Sequence, residues 1–166
     1  MIAIIDYGAG NLFSVRNALE HLGIPSVITA DRDEIIRADS LILPGVGAFP
    51  DAMRMLRDAG LEGLIQNEAG RKPLLGICLG MQLLFETGSE FGETEGLGLS
   101  PGRVDLLETR YKIPHMGYNE LEFNVPSPLL ASVPEGSCVY FVHSYAAYTP
   151  PEYVAAYADY GMKIPA

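Results

Sequence analysis

Cys78 lies in a short segment that has the pattern of a nucleophile elbow. Residues 74–82 read LLGICLGMQ, an apolar strand that meets a cysteine flanked by glycines two positions away and continues into an amphipathic helix. Such a turn strains the backbone of its central residue, and the glycines remove Cβ atoms that would collide. The helix N-terminus would also favour a thiolate. Cys78 is therefore a candidate nucleophile, and the alternative is a small buried hydrophobic residue at the end of a core strand.

A second glycine-rich segment, Pro44-Gly45-Val46-Gly47, follows another predicted strand. Strands of a parallel sheet bring their carboxyl ends to one edge, where ligand crevices form, so we expect this segment near Cys78. An oxyanion formed by attack of Cys78 would be held by the N–H of Leu79 and by an N–H of Val46 or Gly47. The alternative is an ordinary glycine turn.

The chain offers three histidines as a general base for such chemistry. His21 lies one position off the apolar row of its predicted helix, which indicates a surface side chain. His115 and His143 both lie at strand or loop ends, where functional groups concentrate. Neither has a neighbouring carboxylate in sequence, so the pattern leaves a catalytic role and a structural or interface role open for His143.

Gly8-Ala9-Gly10 follows the first predicted strand and partly matches a dinucleotide-binding fingerprint. The third glycine of that fingerprint is replaced by Phe13, which argues against a nicotinamide or flavin site. We therefore expect this loop to let backbone pass close to a site, and we predict no cofactor.

The first half of the chain must provide the elements that position these residues. Segments with strand-like spacing of apolar residues alternate there with segments of helical spacing, which is typical of a parallel sheet. The predicted order begins with strand Ile2–Ile5, the helix carrying Leu12 to Leu22, strand Ser26–Thr29, helix Asp31–Ala38 and strand Ser40–Leu43. It continues with a helix carrying Phe49, Met53 and Leu56, a further helical stretch and the strand that begins at Leu74.

The second half of the chain differs from the first in composition and in the length of its apolar segments. Residues 86–98 are rich in Gly, Glu, Thr and Ser, so we predict a long surface loop there. The segments after it are short and separated by proline-containing turns, which indicates antiparallel additions to the sheet. Those predicted strands are Val104–Leu107, Leu121–Phe123, Cys138–Val142 and Tyr153–Tyr157. We expect one α/β domain over residues 1–166, with helices on both faces of a mostly parallel sheet.

Composition excludes several classes of function. The 166 residues are 48% hydrophobic, which is enough to fill a core. The net charge of -10, with 11 Lys plus Arg and no basic run, argues against binding nucleic acid or an anionic membrane. Cys78 and Cys138 form no metal-binding spacing and no disulfide framework, so we expect no metal and a reducing, cytoplasmic setting.

Five blocks, in this order, resemble one family over essentially the whole chain. They are IDYGAGNLFSV ending at Val15, LPGVGAF at 43–49, GICLGMQLLFE at 76–86, PHMGYN at 114–119 and YFVHSY at 140–145. The family is the glutaminase subunit of imidazole glycerol phosphate synthase, a class I, triad-type glutamine amidotransferase with a flavodoxin-like fold. The elbow alone would indicate only the broad superfamily, whereas the first and fourth blocks are specific to this subunit.

The resemblance implies a role for each matching residue. Cys78 is the nucleophile, and Val46, Gly47 and Leu79 supply the oxyanion hole. The residues implied to hold substrate glutamine are Gln82, Glu90, His143, Ser144 and Tyr145. The residues implied to face a partner subunit are Asn11, Pro114, His115, Met116, Gly117, Tyr118 and Asn119. Tyr118 stands where the family commonly has tryptophan, so the aromatic ring is kept and a hydroxyl is added.

The resemblance also implies the reaction and the partner. Cys78 attacks the γ-amide of glutamine, ammonia leaves, and the thioester is hydrolysed to glutamate. The ammonia passes to a cyclase subunit with a (β/α)8 barrel, which makes imidazole glycerol phosphate and an aminoimidazole carboxamide ribotide in histidine biosynthesis. The cyclase's phosphate-rich substrate would not bind this acidic chain. The expected assembly is a heterodimer without a metal or cofactor in the glutaminase half.

The sequence departs from the family at its C-terminal end. The family carries its catalytic base and orienting residue in a block that reads roughly Phe-His-Pro-Glu, and no such block occurs before Ala166. We therefore expect a C-terminally truncated domain and a poor glutaminase, since general acid–base catalysis contributes about 100- to 10,000-fold. Two alternatives remain: a catalytically inactive docking subunit or fragment, and another cysteine hydrolase or a chaperone-like protein of the same fold.

Overall fold

The computed structural model describes all residues from Met1 to Ala166. They form two compact units, Met1–Leu99 and Ser100–Ala166, which we describe separately. The predicted division of the chain as one domain stays a prediction.

The first unit is built on a four-stranded parallel sheet in the order β2-β1-β3-β4. Its elements in chain order are β1 Ile2–Ile5, α1 Leu12–His21, β2 Ser26–Thr29, α2 Arg32–Arg37, β3 Ser40–Gly45, α3 Phe49–Asp58, α4 Glu62–Ala69, β4 Leu74–Cys78, α5 Leu79–Gln82, β5 Phe85–Gly88 and β6 Thr94–Glu95. This order confirms the predicted alternation of strands and helices. It also places β3 and β4 side by side, as the interpretation of Cys78 required.

Both faces of this sheet are buried at the central strands β1 and β3, whereas Leu75 and Ile77 of the edge strand β4 are exposed. Ile4 and Ile42 pack against Leu19 of α1 on one face. Ile5 and Leu43 alternate with them, so they point to the opposite face, and both are fully buried. Continuous apolar strands are typical of parallel sheets that are buried on both sides.

Residues 83–99 differ from the predicted surface loop. β5 and β6 pair as an antiparallel hairpin, and amides of residues 96–99 donate to carbonyls of residues 83–86. Gly88 and Gly96 serve close packing, because a Cβ at Gly88 would come within 2.7 Å of the Phe49 ring and one at Gly96 within 2.2 Å of the Phe85 carbonyl oxygen. Gly92 and Gly98 have positive φ and open space around an added Cβ, as turn glycines do. Composition alone does not distinguish this use of glycine from a turn.

The second unit is antiparallel, as predicted for this half of the chain. Its strands are β7 Ser100–Leu106, β8 His115–Glu120, β9 Glu122–Phe123, β10 Cys138–His143, β11 Tyr145–Tyr148, β12 Ala156–Asp159 and β13 Lys163–Pro165. β8 pairs with β10, β7 with β11, and β12 with both β9 and β13. Several details differ from prediction. β8, β11 and β13 were not predicted as strands, and β7 begins at Ser100 rather than Val104. Pro151–Tyr153 is a short 3-10 helix, so the strand expected at Tyr153–Tyr157 begins only at Ala156.

The buried core of the second unit lies between these strands, with Phe141 and Ile164 among its larger members. None of the helices in either unit is long and apolar enough to span a bilayer.

Candidate active site

Cys78 occupies a strained turn at the end of β4. Its φ is 55° and its ψ is -122°, and Phe91 is the only other non-glycine residue with positive φ. Left-handed backbone at a side chain of this kind costs about 1–3 kcal/mol, so the surrounding packing must impose it. The thiol is free and exposed. The backbone geometry and exposure predicted for a nucleophile elbow are therefore both present.

The flanking glycines allow the turn to pack tightly. A Cβ at Gly76 would lie 2.5 Å from the Cα of Met81, and a Cβ at Gly80 would lie 1.8 Å from the carbonyl oxygen of Leu43. Neither glycine has positive φ. Their function is thus close approach of α5 to β3 and β4, as the sequence pattern indicated.

The segment from Pro44 to Gly47 lies directly beside the elbow. Gly45 pairs with Cys78 in the parallel register, and a Cβ on Gly45 would come within 2.6 Å of the amide nitrogen of Gly80. Gly47 has a φ of 97°, and Val46 is 54% exposed. Neither the Val46 nor the Gly47 amide donates to an acceptor within the chain. Two amide donors are therefore available next to the candidate nucleophile.

The helix after Cys78 is shorter than predicted. α5 has four residues, because the carbonyls of Leu83 and Leu84 already accept from Leu97 and Leu99. A single turn carries only part of a full helix dipole. Leu79 is buried at the first position of α5, and Gln82 is its last residue.

Glu90 lies at the N-terminus of α3. Its Oε2 accepts from the Phe49 amide at 2.8 Å, and Ala48 at the N-cap position gives no side-chain hydrogen bond. The carboxylate therefore caps α3 and anchors the end of the segment that begins at Pro44. Substrate binding by Glu90, as the resemblance implies, would use the remaining acceptor capacity of this carboxylate.

Tyr7 is a site residue that sequence reasoning did not single out. It is 5% exposed, and its hydroxyl donates to the carbonyl of Pro44 at 2.8 Å. Burial raises the pKa of Tyr7 to about 12, and Cys78 contributes a smaller effect in the same direction. No sequence motif signals this contact, because it joins residues from different strand ends.

His115 and His143 lie side by side in the second unit, with one ring nitrogen of each facing the other. His143 donates from Nδ1 to the Tyr145 carbonyl at 2.8 Å, and its Nε2 lies 3.1 Å from Nδ1 of His115. His115 is fully buried, with Nε2 2.8 Å from Oδ1 of Asn119 and its ring stacked on Tyr160. Burial holds the pKa of His143 below its usual value, and His115 adds to this effect against the opposing hydrogen bond to Tyr145. These contacts favour the structural interpretation of His143.

Ser144 joins β10 to β11, and its carbonyl accepts from the Leu107 amide at 2.9 Å. Together with the hydrogen bond from His143 to Tyr145, this contact fixes the backbone of the implied substrate-binding segment 143–145.

The predicted partner residues of β8 divide between the two sides of the β8–β10 pair. Met116 and Tyr118 are 61% and 74% exposed, and their cross-strand neighbours Val142 and Tyr140 are exposed as well. We call these four residues the ribbon face. Its tyrosines meet edge to face at 5.2 Å between ring centroids.

The remaining predicted partner residues occupy other positions. The side chains of His115 and Asn119 lie on the inner side of the β8–β10 pair, so they support the ribbon face from beneath. Gly117 is half-buried between Met116 and Tyr118, and Pro114 is exposed just before β8. Asn11 is exposed and caps α1 by accepting from the Ser14 amide.

The structure also bears on metal and dinucleotide binding. No three His, Cys, Asp or Glu side chains cluster in a way that could hold a metal ion. Gly8 and Gly10 pack against Met55 and Pro44, where added Cβ atoms would come within 2.8 and 3.1 Å. Phe13, which replaces the third glycine of the fingerprint, is 63% exposed.

Comparison with solved structures supports the fold. A crystal structure of glutamine amidotransferase superposes with a TM-score of 0.74 at 17% identity, covering 95% of this chain and 80% of the other. The structure of PurLQS from Thermotoga maritima matches with a TM-score of 0.63 at 17% identity, covering 99% of this chain and 76% of the other.

Sequence comparison identifies the family. The family model of class-I glutamine amidotransferases matches residues 3–164. The imidazole glycerol phosphate synthase subunit HisH of Shouchella clausii is 53% identical to this chain, and the alignment covers all of this chain and 83% of the Shouchella protein. HisH of Bacillus cereus is 54% identical to this chain, and the alignment covers 99% of this chain and 79% of the Bacillus protein. The chain therefore belongs to the class-I glutamine amidotransferase family and, within it, to the group of HisH subunits.

Proposed function

We propose that this chain is the glutaminase subunit of an imidazole glycerol phosphate synthase and that Cys78 is its nucleophile. The observation that carries the proposal is the exposed Cys78 thiol at a φ of 55°, paired with Gly45 of the segment that offers two free amides. The class-I glutamine amidotransferase family and the HisH relatives at 53% and 54% identity support L-glutamine as the substrate and histidine biosynthesis as the pathway. This role also predicts a cytoplasmic location.

The proposed reaction begins with attack of the Cys78 sulfur on the γ-amide carbon of glutamine. The carbonyl oxygen becomes an oxyanion, which the amides of Leu79 and of Val46 or Gly47 stabilise. The C–N bond then breaks, the nitrogen leaves with an added proton as ammonia, and a γ-glutamyl thioester remains on Cys78. Water adds to the thioester and releases glutamate and the thiol.

The three histidines of this chain provide little for the proton-transfer step of this reaction. His115 is fully buried, and both ring nitrogens of His143 are engaged within the second unit. His21 lies at the exposed end of α1. We therefore propose that a polypeptide of these 166 residues hydrolyses glutamine slowly, and that a version extended by a relative's C-terminal segment, which carries the Phe-His-Pro-Glu block, is about 100- to 10,000-fold faster.

The test of the function is glutamate release by the 166-residue and extended polypeptides, with and without a cyclase subunit. Cys78→Ala should reduce release to background in every case. Cys138→Ala is the matched control, because Cys138 is the second free, exposed cysteine, and it should leave the rate within about twofold. Glutamine that stays intact with every preparation would contradict the proposal and favour a docking role, whereas turnover of peptide or aldehyde substrates instead would favour another cysteine hydrolase.

We propose the ribbon face as the docking surface for a cyclase subunit with a (β/α)8 barrel, in a heterodimer. Large exposed aromatic and methionine side chains are enriched in protein interfaces, and here they form a continuous patch across two paired strands. The inner side of the same strands is fixed by the His115 network, which presents the patch on a rigid support.

Alanine variants test the ribbon face as the docking surface. Tyr118→Ala and Tyr140→Ala should each weaken cyclase binding by about 30-fold, the effect of a central aromatic anchor worth about 2 kcal/mol. Tyr153→Ala is the control, because Tyr153 is 59% exposed but lies outside the ribbon face. Equal affinities for all three variants, measured by calorimetry with the purified cyclase subunit, would place the interface elsewhere.

A further inference from the structure

The segment that offers the oxyanion-hole amides is held at both of its ends. At the start, the Pro44 carbonyl accepts from the Tyr7 hydroxyl at 2.8 Å. At the end, the Phe49 amide donates to Glu90 at 2.8 Å. Between these two contacts the Val46 and Gly47 amides have no acceptor within the chain. Their direction therefore depends on how the flanking peptides are fixed.

The loop after β1 contacts Pro44 in two independent ways. Besides the Tyr7 hydrogen bond, Gly10 at a φ of 106° packs against the proline, and a Cβ there would lie 3.1 Å from the Pro44 Cβ and 3.2 Å from its carbonyl carbon. Gly8, in the same loop, packs against Met55 of α3. The glycine motif that failed as a dinucleotide fingerprint thus brings Tyr7 against the start of the oxyanion segment.

The hydrogen bond from Tyr7 acts on the one soft torsion of Pro44. The pyrrolidine ring fixes φ near -65° and removes the N–H, so only ψ of Pro44 remains free to rotate. The carbonyl that accepts from Tyr7 belongs to the peptide that ends at the Gly45 nitrogen. Holding this carbonyl fixes the peptide plane from which Gly45, Val46 and Gly47 continue, and glycines on either side of Val46 would otherwise permit several directions.

We propose that Tyr7 is a positioning residue for the oxyanion hole, acting through its hydrogen bond to the Pro44 carbonyl. Tyr7 does not itself contact the substrate in this proposal. The inference rests on the proposed function of Cys78 in glutamine hydrolysis, and it assigns a role to a side chain that the catalytic scheme does not otherwise use.

The Tyr7 hydroxyl remains a donor throughout the range of an enzyme assay. Burial raises its pKa to about 12, and a charge on Cys78 acts in the same direction, so formation of the thiolate keeps the phenol protonated. The positioning effect should therefore be independent of pH between about 6 and 9, well below that pKa.

Tyr7→Phe is the test, because it keeps the buried ring and removes only the hydroxyl. Thr149→Val is the matched control, since Thr149 also donates to a proline carbonyl, that of Pro101 at 2.7 Å, away from the site. Both variants are compared with wild type in the 166-residue and extended polypeptides. The measurements are kcat and KM for glutamine, the rate of Cys78 alkylation by iodoacetamide across pH, the melting temperature, and the amide NMR signals of Val46 and Gly47.

The proposal predicts a distinct pattern. Tyr7→Phe lowers kcat by about 10- to 100-fold with KM within about twofold, as expected when oxyanion donors are misdirected. Alkylation of Cys78 needs no oxyanion hole and stays within about twofold at every pH. The amide signals of Val46 and Gly47 shift or broaden, while Thr149→Val changes none of these quantities.

Two results would overturn the positioning role. An unchanged kcat in an active preparation would do so, and so would a parallel loss of kcat, alkylation rate and melting temperature, which would indicate a purely structural side chain. A wild-type protein that does not hydrolyse glutamine refutes the proposed function instead. In that case the Val46 and Gly47 amide signals still decide whether Tyr7 sets the direction of this segment.

Discussion

Gly80 is the position at which the packing of the elbow can be tested most sharply. A Cβ added at Gly80 would lie 1.8 Å from the Leu43 carbonyl oxygen and 2.7 Å from its carbonyl carbon. Both neighbours are backbone atoms of a central strand, so neither can move aside as a flexible side chain would. In Gly80→Ala, α5 and β3 must therefore separate.

The size of the effect follows from two opposing contributions. Alanine is a better helix former than glycine by about 1 kcal/mol, which favours the variant. The clash must open by about 1.5 Å to reach an ordinary contact. Overpacking of this kind costs about 1–3 kcal/mol, and more when only backbone can yield. We expect a net loss of about 2 kcal/mol in the free energy of unfolding, or about 4–8 °C in melting temperature.

The assay is urea unfolding of wild type, Gly80→Ala and the control Gly63→Ala. Gly63 lies in α4, is exposed and has nothing within 4 Å of an added Cβ. Gly63→Ala should therefore stabilise the protein by up to about 1 kcal/mol. Since a displacement of about 1 Å at a nucleophile can cost about 100-fold, Gly80→Ala should also lose most glutaminase activity. If Gly80→Ala proved as stable as wild type, the close approach of α5 to β3 would be wrong.

Two further predictions concern buried charges. Lys72→Met leaves the buried Glu68 without the ammonium group 2.8 Å away, so the free energy of unfolding in urea should fall by about 3–5 kcal/mol. Arg71→Met removes an exposed partner of Glu68 at 3.6 Å and should cost under about 1 kcal/mol. Because the pKa of His143 is lowered in the folded state, the unfolded chain binds more protons below pH 6.5, so stability should fall as the pH drops through that value, and fall less in His143→Gln. Melting curves at several pH values check the second prediction, and equal pH dependence in both proteins would contradict it.

Local patterns predicted the first unit well because its signals are short-range. The apolar run Ile2–Ile5 and the alternation of strands and helices follow from period and turn residues alone, and the structure reproduces them. The elbow at Cys78 was recognisable because its glycines are required at fixed spacing. Residues 83–99 were not predictable in the same way, since Gly88 serves to accommodate the ring of Phe49, a contact that only the folded chain defines.

The site contacts that could not be predicted from the sequence join residues that lie far apart in the chain. The hydrogen bond between Tyr7 and Pro44 spans 37 positions, and that between Phe49 and Glu90 spans 41. The ribbon face likewise depends on the register that places Tyr118 opposite Tyr140. Of the two strands only Cys138–Val142 was predicted, and the pairing of β8 with β10 is what makes one continuous exposed patch.

The role of Cys78 as nucleophile is tested most directly by finding where glutamine becomes attached. The protein is mixed with glutamine, quenched in acid to preserve thioesters, digested, and analysed by peptide mass spectrometry. Attack by Cys78 predicts a γ-glutamyl adduct on Cys78 and none on Cys138. Release of glutamate with an adduct on Cys138, or with no acylation of Cys78 at any time point, would contradict it.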